Sequence, residues 1–383
     1  MLRFLTAGES HGPCLIGILE GMPAGLLLNQ DEINRQLARR QAGFGRGGRM
    51  KIENDRVEVL SGIGWNGPGR GITTGGPIAL RIENHDWANW KDREPPPFTV
   101  PRPGHADFAG GVKYGLTHDL RLVLERASAR ETAMRVAIAT IVRQLLAEFG
   151  IQVGSYVLSI GQVEATIPEL PYPELFARAE ESDMRCPDPD AAEAMREHIR
   201  ETIKRRDTLG GVFEVVAIGV PVGLGSHVHW DRKLDGRLAQ ALMSIPAIKG
   251  VEIGPAFENA RKFGTEVHDE FVISPKEDPR GLLDLGGLIT RPTNRAGGLE
   301  GGITNGQPIV LRAAMKPIST TLTPLHSVDL STGEPTTAIY ERSDICAVPA
   351  ASIIGEAMMA WVLGEALVEK LDGDSLKEMT KSQ

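Results

Sequence analysis

Short apolar runs, some alternating with polar residues and some unbroken, recur along the chain and predict strands. The first two lie at 2–7 and 14–20 and flank the loop GESHGP. Similar runs follow at the positions 51–63, 76–84, 153–161 and 213–225. Residues 93–107 are rich in proline, so this stretch cannot be regular structure, because proline lacks the amide hydrogen that helices and sheets use.

Apolar residues that recur every three to four positions predict helices between these strands. The clearest case begins at Asn29, a good N-cap residue, and runs to about Arg40 with its apolar residues on one face. Further helices are predicted at 129–149, 189–205, 231–244 and 351–371. The last of them carries Glu356 and Glu365 within its apolar stretch, so we expect an amphipathic helix and not a membrane span.

Two ten-residue segments, ITTGGPIALR (72–81) and ITNGQPIVLR (303–312), are identical at seven positions. A common type of turn before a strand would explain the match, and so would an ancient duplication that gives two similar sheets around one core. Helices and hairpin-like strands occur without regular βαβ alternation, which favours an α+β fold with antiparallel sheets. No change of composition marks a boundary, so residues 1–383 are expected to form a single domain.

Composition limits the classes of function. A net charge of −8 argues against binding of nucleic acid or anionic membranes through the bulk surface. The three cysteines, Cys14, Cys186 and Cys346, lack the pairing of a disulfide scaffold and suit a reducing cytosol. The N-terminal apolar run is too short for a signal peptide. We therefore expect a cytoplasmic protein.

The segment RASARETAMR begins at Arg126 and places Arg130 one helical turn further on, at a predicted helix N-terminus where positive charge is unfavourable. Ser128 and Glu131 fit a capping box, with Ser128 as the cap. Both arginines can flank the free amides of the first turn, and the set would bind an anion. The alternative is a pair of surface arginines neutralised by Glu125 and Glu131.

A basic, glycine-rich loop, GFGRGGRMK, covers residues 43–51. It contains G-x-G-x-x-G, but a predicted helix precedes it and a strand follows, which is the reverse of the dinucleotide-binding order. With Arg40, Arg46 and Arg49 it makes a local positive region on an acidic protein, which favours a small polyanionic ligand. A flexible basic loop or an RNA-binding segment is the alternative interpretation.

Two histidines, His11 and His105, lie in turns framed by glycine and proline, and Arg102 is close to the second. Either can be a structural histidine, but such constrained turns beside arginines indicate proton transfer. His227 and His229 lack a nearby third ligand, so no metal site is predicted.

Near the C-terminal end, the segment MKPIST supplies Lys316 with two hydroxyl side chains, which are types that suit a phosphate. Further on, Arg342 and Asp344 are either a surface ion pair of little value or part of a site. Within a site, the carboxylate can hold a proton donor or act as a base.

Taken together, GESHGP, RPGHAD followed by KYG, RASARETAMR, TNRAGGLEGGITNG, MKPIST and RSDICAVPAA resemble the chorismate synthase family in order and spacing. The resemblance spans residues 3 to about 370, and the blocks at 8–13, 126–135 and 342–350 match without gaps. It implies the last step of the shikimate pathway, in which 5-enolpyruvylshikimate 3-phosphate loses phosphate and one ring proton by 1,4-anti elimination and gives chorismate.

The resemblance also implies cofactors and assembly. The family requires reduced FMN although the reaction is redox-neutral, and NADPH is the reductant in some members. A homotetramer is implied, with each subunit a β-α-β sandwich in which helices pack between two antiparallel sheets. The remaining alternative is a module that binds RNA or another polyanion through the basic loop, and the ordered motifs favour the lyase.

Individual roles follow from the same resemblance. Proton transfer is implied for His11, His105 and Asp344. The cage for the substrate phosphate and carboxylates would be Arg40, Arg46, Arg49, Arg102, Arg130 and Arg342. Flavin contacts would fall on Arg126, Ala127, Ser128, Pro246, Ala247, Gly301, Lys316, Pro317, Ile318, Ser319, Thr320 and Arg342. The family also places an NADPH contact at Arg40 and Arg46, which suit the substrate better. Pro246 has no amide hydrogen to donate, so its contact is the weakest.

Overall fold

The structure is a computed structural model that describes residues 1–48, 52–273, 289–341 and 343–381. Its strands are β1 (Arg3–Ala7), β2 (Cys14–Glu20), β3 (Leu27–Asn29), β4 (Val57–Val59), β5 (Ile63–Gly67), β6 (Arg70–Thr73), β7 (Ile78–Glu83), β8 (Gln152–Ile160), β9 (Val163–Glu164), β10 (Gly211–Ile218), β11 (Ile248–Ile253), β12 (Val272–Ile273), β13 (Ile289–Thr290), β14 (Leu299–Glu300), β15 (Ile303–Thr304), β16 (Ile309–Met315), β17 (His326–Val328) and β18 (Pro335–Thr337).

The α-helices lie between and after these strands. They are α1 (Gln30–Gln41), α2 (Asp107–Tyr114), α3 (Arg121–Ala127), α4 (Thr132–Glu148), α5 (Tyr172–Glu181), α6 (Pro189–Arg205), α7 (Leu234–Met243), α8 (Ala256–Asn259), α9 (Gly264–Val267), α10 (Val348–Leu371) and α11 (Leu376–Met379). A short 3-10 turn, Ala129–Glu131, directly precedes α4. Mixed helices and antiparallel sheets confirm the α+β prediction.

Several predicted elements are confirmed in detail. Helix α1 starts where the N-cap pattern placed it, and the Asn29 side chain accepts a hydrogen bond from the Asp31 amide at 3.1 Å. Strands β1 and β2 flank the GESHGP loop, and α6 coincides with the helix predicted at 189–205. Two strand predictions were too long. The strand predicted at 51–63 contributes only β4 and the start of β5 in its described part. The strand predicted at 213–225 ends at Ile218 because the chain turns at Gly219.

Two antiparallel sheets carry nine of the eighteen strands described. The first has the order β1-β2-β7-β4 and the second β11-β16-β10-β8-β9. In the first sheet the alternation is clear, because Leu15 and Leu19 of β2 are buried while Ile18 between them is exposed. Side chains of one parity therefore face the core and those of the other parity face outwards.

Helices α4 and α10 pack against each other and against the sheets. Helix α4 contacts β2 and β7, whereas α10 contacts β8 and β10. Glycine permits this close approach at two points. A Cβ on Gly17 of β2 would lie 2.5 Å from Met134 Sδ of α4, and one on Gly364 of α10 would lie 2.1 Å from Val142 Cγ1. The hydrophobic core is built on these contacts.

The prediction that the C-terminal helix is amphipathic was wrong, because α10 is covered on all sides. In the described ranges one helix, α10, is long and apolar enough to cross a membrane by length and composition, yet 94% of an 18-residue apolar stretch within it is buried in the protein. Its fully buried Glu356 forms ion pairs with Arg39, Arg143 and Arg185. Three guanidinium groups therefore neutralise the carboxylate that suggested a polar face.

The two repeated segments make the same local contacts. In the first, Thr73 Oγ1 accepts a hydrogen bond from Leu26 N at 2.9 Å and donates one to Pro23 O at 2.6 Å. In addition, Thr73 N donates to Leu26 O, and Gly25 N donates to Thr73 O. The threonine hydroxyl thus ties the strand entry to a Pro-x-Gly-Leu turn.

The second segment has the same arrangement between Thr304 and the Pro-x-Gly-Leu turn at 221–224. Here Thr304 Oγ1 accepts from Leu224 N at 2.8 Å and donates to Pro221 O at 2.7 Å. Thr304 N donates to Leu224 O, and Gly223 N donates to Thr304 O. A subset of elements also occurs in the same order, with others between them: β1-β2-α1-β4-β7-α4 in the first half and β8-β10-α7-β11-β16-α10 in the second.

Candidate active site

A cavity of about 490 Å³ opens where the ends of several elements meet. The first turns of α4 and α10 reach it, as do the C-terminal end of α1 and the residues that follow α7. Other walls come from the GESHGP loop, the basic loop at 46–48, the loop that holds His105, and the segments 315–320 and 343–347. The volume lies within the range of about 300–1,000 Å³ that is typical of small-molecule sites.

His11 is fixed by Glu125 at the end of helix α3. The ring atom Nδ1 lies 2.8 Å from Glu125 Oε1, and the His11 amide donates to Glu125 Oε2 at 2.6 Å. The ring also packs on Trp90, with 4.5 Å between ring centroids and an angle of 49°. Nδ1 is therefore engaged, and Nε2 is the ring nitrogen left for the cavity.

His105 belongs to a second histidine–carboxylate pair. Its Nδ1 lies 2.5 Å from Oδ1 of the fully buried Asp107. Arg102 binds the same carboxylate, with Nε donating to Oδ2 at 2.8 Å and Nη2 donating to Oδ1 at 3.0 Å. Burial alone would raise the pKa of the Asp107 carboxyl, but the hydrogen bonds from His105 and Arg102 outweigh it and hold that pKa well below its usual value.

Arg40 brings a buried guanidinium to the cavity wall. Its Nε donates to Thr132 Oγ1 at 3.0 Å and its Nη2 donates to Ala129 O at 2.9 Å. Within the described chain, Nη1 is buried without a hydrogen-bond partner, and the Asp55 carboxylate lies 3.6 Å away. Burial lowers the pKa of Arg40 to about 10, Arg130 and Arg46 add to this effect, and Asp55 opposes it. At neutral pH the group stays charged and can bind an anion.

Arg130 also lines the cavity, but its guanidinium already has several partners. Nη1 donates to Asp55 Oδ1 at 2.5 Å, Nε donates to Asn84 Oδ1 at 2.9 Å, and Nη2 donates to Glu83 O at 3.4 Å. The group is buried. It therefore contributes positive charge to the wall and anchors the end of β7.

The capping box predicted here is confirmed only in its first half. Ser128 Oγ accepts from the Arg130 amide at 3.3 Å, but the Glu131 side chain pairs with Arg135. Regular helix starts at Thr132, after the 3-10 turn. Arg126, which was expected to flank the same amides, has an exposed guanidinium that donates to Thr6 O and Thr6 Oγ1.

The basic loop reaches the cavity through Arg46. Its Nη1 lies 2.8 Å from Asp344 Oδ2, while Asp344 Oδ1 accepts from Gly47 N at 2.6 Å. The backbone joins the same two segments, because Ile345 N donates to Gly45 O at 2.8 Å. Nearly 300 residues of chain thus separate two groups in direct contact, so neither could be paired from the sequence.

The opposite wall carries Lys316 and a strained residue. Lys316 Nζ donates to Gly104 O at 2.6 Å, and its amide donates to Ala247 O at 2.9 Å. Ala247 has a φ of +67°, a left-handed backbone conformation that is uncommon for alanine. Such outliers gather at ligand sites, where the surrounding structure holds them in place.

Comparison with known proteins shows which family this chain belongs to. A family model described as chorismate synthase matches residues 2–368. The chain is 54% identical to the chorismate synthase of Aquifex aeolicus (strain VF5) over 399 residues, covering 99% of this chain and 96% of that one. Identity to the enzyme of Desulforudis audaxviator (strain MP104C) is 54% over 388 residues, covering 99% and 95%. The chain belongs to the chorismate synthase family.

A solved structure supports the same assignment. It is described as a crystal structure of chorismate synthase, with a TM-score of 0.79, 46% identity and coverage of 100% of this chain and 96% of that one. The resemblance found from the motifs is therefore confirmed. The chain is a carbon–oxygen lyase that eliminates phosphate from 5-enolpyruvylshikimate 3-phosphate to give chorismate, and its family works with reduced flavin.

Most residues predicted for a chorismate synthase site line this one cavity. They are His11, Arg40, Arg46, Arg102, His105, Ala127, Ser128, Arg130, Pro246, Ala247, Lys316, Ile318, Ser319, Thr320 and Asp344. Of the described residues, three predicted flavin contacts lie outside the lining, namely Arg126, Gly301 and Pro317. Gly301 is in the turn between β14 and β15. Arg49 and Arg342 lie outside the described residues.

Three residues at this chorismate synthase site were not singled out from the sequence. Glu125 was considered only as a surface partner of arginine, although it holds His11. Asp107 follows His105 by two residues, which was a signal that a carboxylate could reach the ring. Trp90 gave no signal, because its stretch HDWANW contains nothing that distinguishes a site residue from a surface one.

Proposed function

We propose that this cavity binds 5-enolpyruvylshikimate 3-phosphate with its phosphate and carboxylates against the arginines of the wall. Arg40, Arg46, Arg102 and Arg130 supply the positive charge, and Arg49 and Arg342 stay part of the predicted cage. The observation that carries the proposal is the buried Nη1 of Arg40, a donor without a hydrogen-bond partner in the described chain. Such a group is costly unless a ligand satisfies it.

Fixed positive charge also explains how the cavity promotes the reaction. When the C–O bond breaks, negative charge grows on the departing phosphate, and preorganised guanidinium groups stabilise it without reorganising. A hydrogen bond to a charged group contributes about 1.5–3 kcal/mol. The arginines therefore lower the barrier as well as holding the substrate.

The three proton-transfer residues fit distinct tasks. We assign His11 and His105 as proton donors, one of them toward the leaving phosphate, because each has Nδ1 bound to a carboxylate and Nε2 left for the cavity. Asp344 is assigned as acceptor of the ring proton. Its orientation is set by Arg46 and by the Gly47 amide. General acid–base help of this kind is worth roughly 10²–10⁴-fold in rate.

The cavity suits reduced FMN as well as substrate. Lys316, Ser319 and Thr320 offer an ammonium and two hydroxyls suited to a phosphate, while Ala350 and Ile354 of α10 give an apolar wall. The flavin contacts proposed at 127–128 and 246–247 lie on the same lining. When bound, reduced FMN would lend electron density to the breaking bond and regain it, which explains a redox cofactor without net redox change.

The contacts of Arg40 and Arg46 fit substrate binding better than the NADPH contact that the family assigns to these two residues. Arg40 is buried against Ala129 and Thr132, and Arg46 is joined to Asp344, the proposed base. Both therefore belong with the reacting groups. The same burial argues against an RNA-binding surface at this loop, because nucleic-acid phosphates need exposed basic side chains.

The test is release of phosphate from 5-enolpyruvylshikimate 3-phosphate under anaerobic conditions. With FMN reduced by dithionite, we expect equal amounts of phosphate and chorismate. A parallel reaction with NADPH and oxidised FMN measures whether this chain reduces its own flavin. Absence of phosphate release while reduced FMN is bound would overturn the proposal for the cavity.

A homotetramer is part of the proposal, and the outer face of the first sheet supports it. Leu5 and Ile18 are directly paired across β1 and β2 and are 69% and 43% exposed. Arg3 and Glu20 form an ion pair at the margin of this apolar area. Apolar side chains on the outer face of a sheet are typical of subunit contacts. Substitution of Leu5 by glutamate should give smaller assemblies in light scattering, whereas an unchanged tetramer would exclude this face.

We also infer that the two halves arose by duplication and form a β-α-β sandwich as one domain over residues 1–383. The matched threonine turns and the shared order of elements support the duplication, and the packing of α4 and α10 against both sheets supports the sandwich. A cytoplasmic location suits a biosynthetic enzyme with three free cysteines.

A further inference from the structure

Glu125 makes two contacts with His11 and a third with the neighbouring Ser10. Its Oε1 lies 2.8 Å from His11 Nδ1, and its Oε2 accepts from the His11 amide at 2.6 Å. Its own carbonyl accepts from Ser10 N at 3.0 Å. The side chains of His11 and Glu125 are only 15% and 14% exposed. The carboxylate therefore binds both the ring and the backbone of the loop that carries the histidine.

The ring of His11 has little freedom to reorient. Trp90 covers it at 4.5 Å, and the guanidinium groups of Arg93 and Arg121 lie 5.7 and 5.6 Å from the Trp90 ring centroid. These two arginines hold Trp90 in place, and the His11 ring is held between Trp90 and Glu125. Rotation about the side chain would break the bond to the carboxylate and leave it without its ring partner.

A carboxylate on Nδ1 fixes the tautomer of a histidine. In the neutral ring it places the hydrogen on Nδ1, so that Nε2 carries the lone pair. The proton of His11 is therefore exchanged at Nε2, the nitrogen left for the cavity.

His105 provides a useful contrast. Its carboxylate, Asp107, also accepts two hydrogen bonds from the Arg102 side chain and one from the Arg102 amide. Substitution of Asp107 would therefore release an arginine of the substrate cage together with the histidine. The contacts of Glu125 with the GESHGP loop go instead to the ring and amide of His11 and to the Ser10 amide.

We propose that Glu125 is a positioning residue that fixes the Nδ1–H form of His11 and acts on turnover through the ring of that histidine. This rests on the proposed function, in which His11 transfers a proton. His11 lines the cavity, and the Glu125 carboxylate binds its Nδ1. The competing explanation is that Glu125 only clamps the backbone of the loop.

The test is a double-mutant cycle in the full-length enzyme with reduced FMN. Glu125→Gln keeps the shape of the side chain and removes its charge, and we expect kcat to fall about 100-fold with KM for the substrate changed less than about 3-fold. Glu125→Asp should recover part of the loss. The control is Glu148→Gln, an exposed glutamate at the end of α4, which should leave kcat unchanged.

The same substitution is then made in the His11→Ala background. Alanine keeps the backbone amide, so a loop clamp would still be lost and Glu125→Gln would still lower kcat about 100-fold. If Glu125 acts through the ring, the second substitution changes kcat by less than about 2-fold. Additive effects overturn the proposal.

If His11→Ala is inactive or fully active, nuclear magnetic resonance of the His11 ring tests the role of Glu125 directly. Imidazole ¹⁵N chemical shifts, assigned with His11→Ala, should show Nδ1 protonated in the neutral wild-type ring and a mixture of tautomers in Glu125→Gln. Identical shifts in both proteins would refute the role of Glu125. A fully active His11→Ala enzyme would instead refute the proton transfer assigned to His11, and the shifts would still decide how Glu125 acts on the ring.

Discussion

At the residue scale, the site depends on which polar atoms already have partners. Asp107 and Glu125 are occupied in orienting histidines, and the Arg130 guanidinium is bound to Asp55 and Asn84. Arg40 differs, because one of its buried nitrogens makes no hydrogen bond in the described chain. Arg40 is therefore a residue at which ligand binding should be sensitive to substitution.

Arg40→Met should weaken substrate binding. Loss of a charge-assisted hydrogen bond of about 1.5–3 kcal/mol corresponds to a rise in KM of roughly 10- to 150-fold. Steady-state kinetics with reduced FMN measure it. Arg35→Met is the matched control, because Arg35 lies on the same helix, is exposed and pairs with Glu32. An unchanged KM for Arg40→Met would remove Arg40 from the substrate cage.

His105→Ala should lower kcat strongly, by about 10²–10⁴-fold, while the affinity for FMN stays nearly intact. The reason is that His105 lies outside the proposed flavin contacts and its ring is held by Asp107. Fluorescence titration measures FMN binding, with the exposed His229→Ala as control. A large loss of FMN affinity would show that His105 belongs to the flavin site.

At the element scale, helix ends build the site and helix middles build the core. The starts of α4 and α10 reach the cavity, while further along both helices pack tightly on each other. A buried ion-pair cluster around Glu356 joins α1, α4 and α10. Changes in the middle of these helices should therefore act on stability, and changes at their ends on catalysis.

Gly364→Ala should destabilise the fold. The added methyl would lie 2.1 Å from Val142 Cγ1 of α4, and overpacking of a core costs about 1–3 kcal/mol. The midpoint of chemical denaturation measures this loss. Gly236→Ala on α7, where an added Cβ meets open space, is the control. Equal midpoints for Gly364→Ala and the wild type would show that the α4–α10 contact is looser than described.

The ion pairs around Glu356 should make the free energy of unfolding depend on pH. Burial alone would raise the pKa of Glu356, but Arg39, Arg143 and Arg185 outweigh it and hold that pKa well below its usual value. A lowered folded-state pKa means that the stabilisation is complete above the unfolded value of about 4.3 and is lost as pH falls below it.

Denaturation midpoints of the wild type and Glu356→Gln at several pH values measure this effect. The gap between the two proteins should be largest near neutral pH, at about 3–5 kcal/mol for loss of one partner of a buried pair, and should narrow below about pH 4. A gap that stays constant down to pH 3 would contradict the linkage.

At the scale of the whole molecule, the motifs identified the family and the chemistry, but not the contacts between distant segments. Asn29 and the apolar periodicity located α1 because capping and burial act locally. The pairing of Arg46 with Asp344 depends on tertiary packing, and the shared hold of Glu125 and Trp90 on His11 does too. The C-terminal helix shows the same limit, because its glutamate looked solvent-facing until three distant arginines were found around it.

Packing of α4 and α10 against both sheets leads us to expect one cooperative unfolding unit. Tryptophan fluorescence and far-ultraviolet circular dichroism should give coincident unfolding curves at fixed protein concentration, because the two halves share one core. Two separated transitions would indicate that the halves unfold independently. Repeating the experiment at several protein concentrations separates unfolding from dissociation of subunits.

The most direct measurement is a crystal structure of the enzyme with 5-enolpyruvylshikimate 3-phosphate and FMN bound. We expect an anionic group of the substrate within hydrogen-bond distance of Arg40 Nη1, with Nε2 of His11 and of His105 facing the ligands. A substrate bound elsewhere, with Arg40 Nη1 still lacking a hydrogen bond, would contradict the proposed role of the cavity.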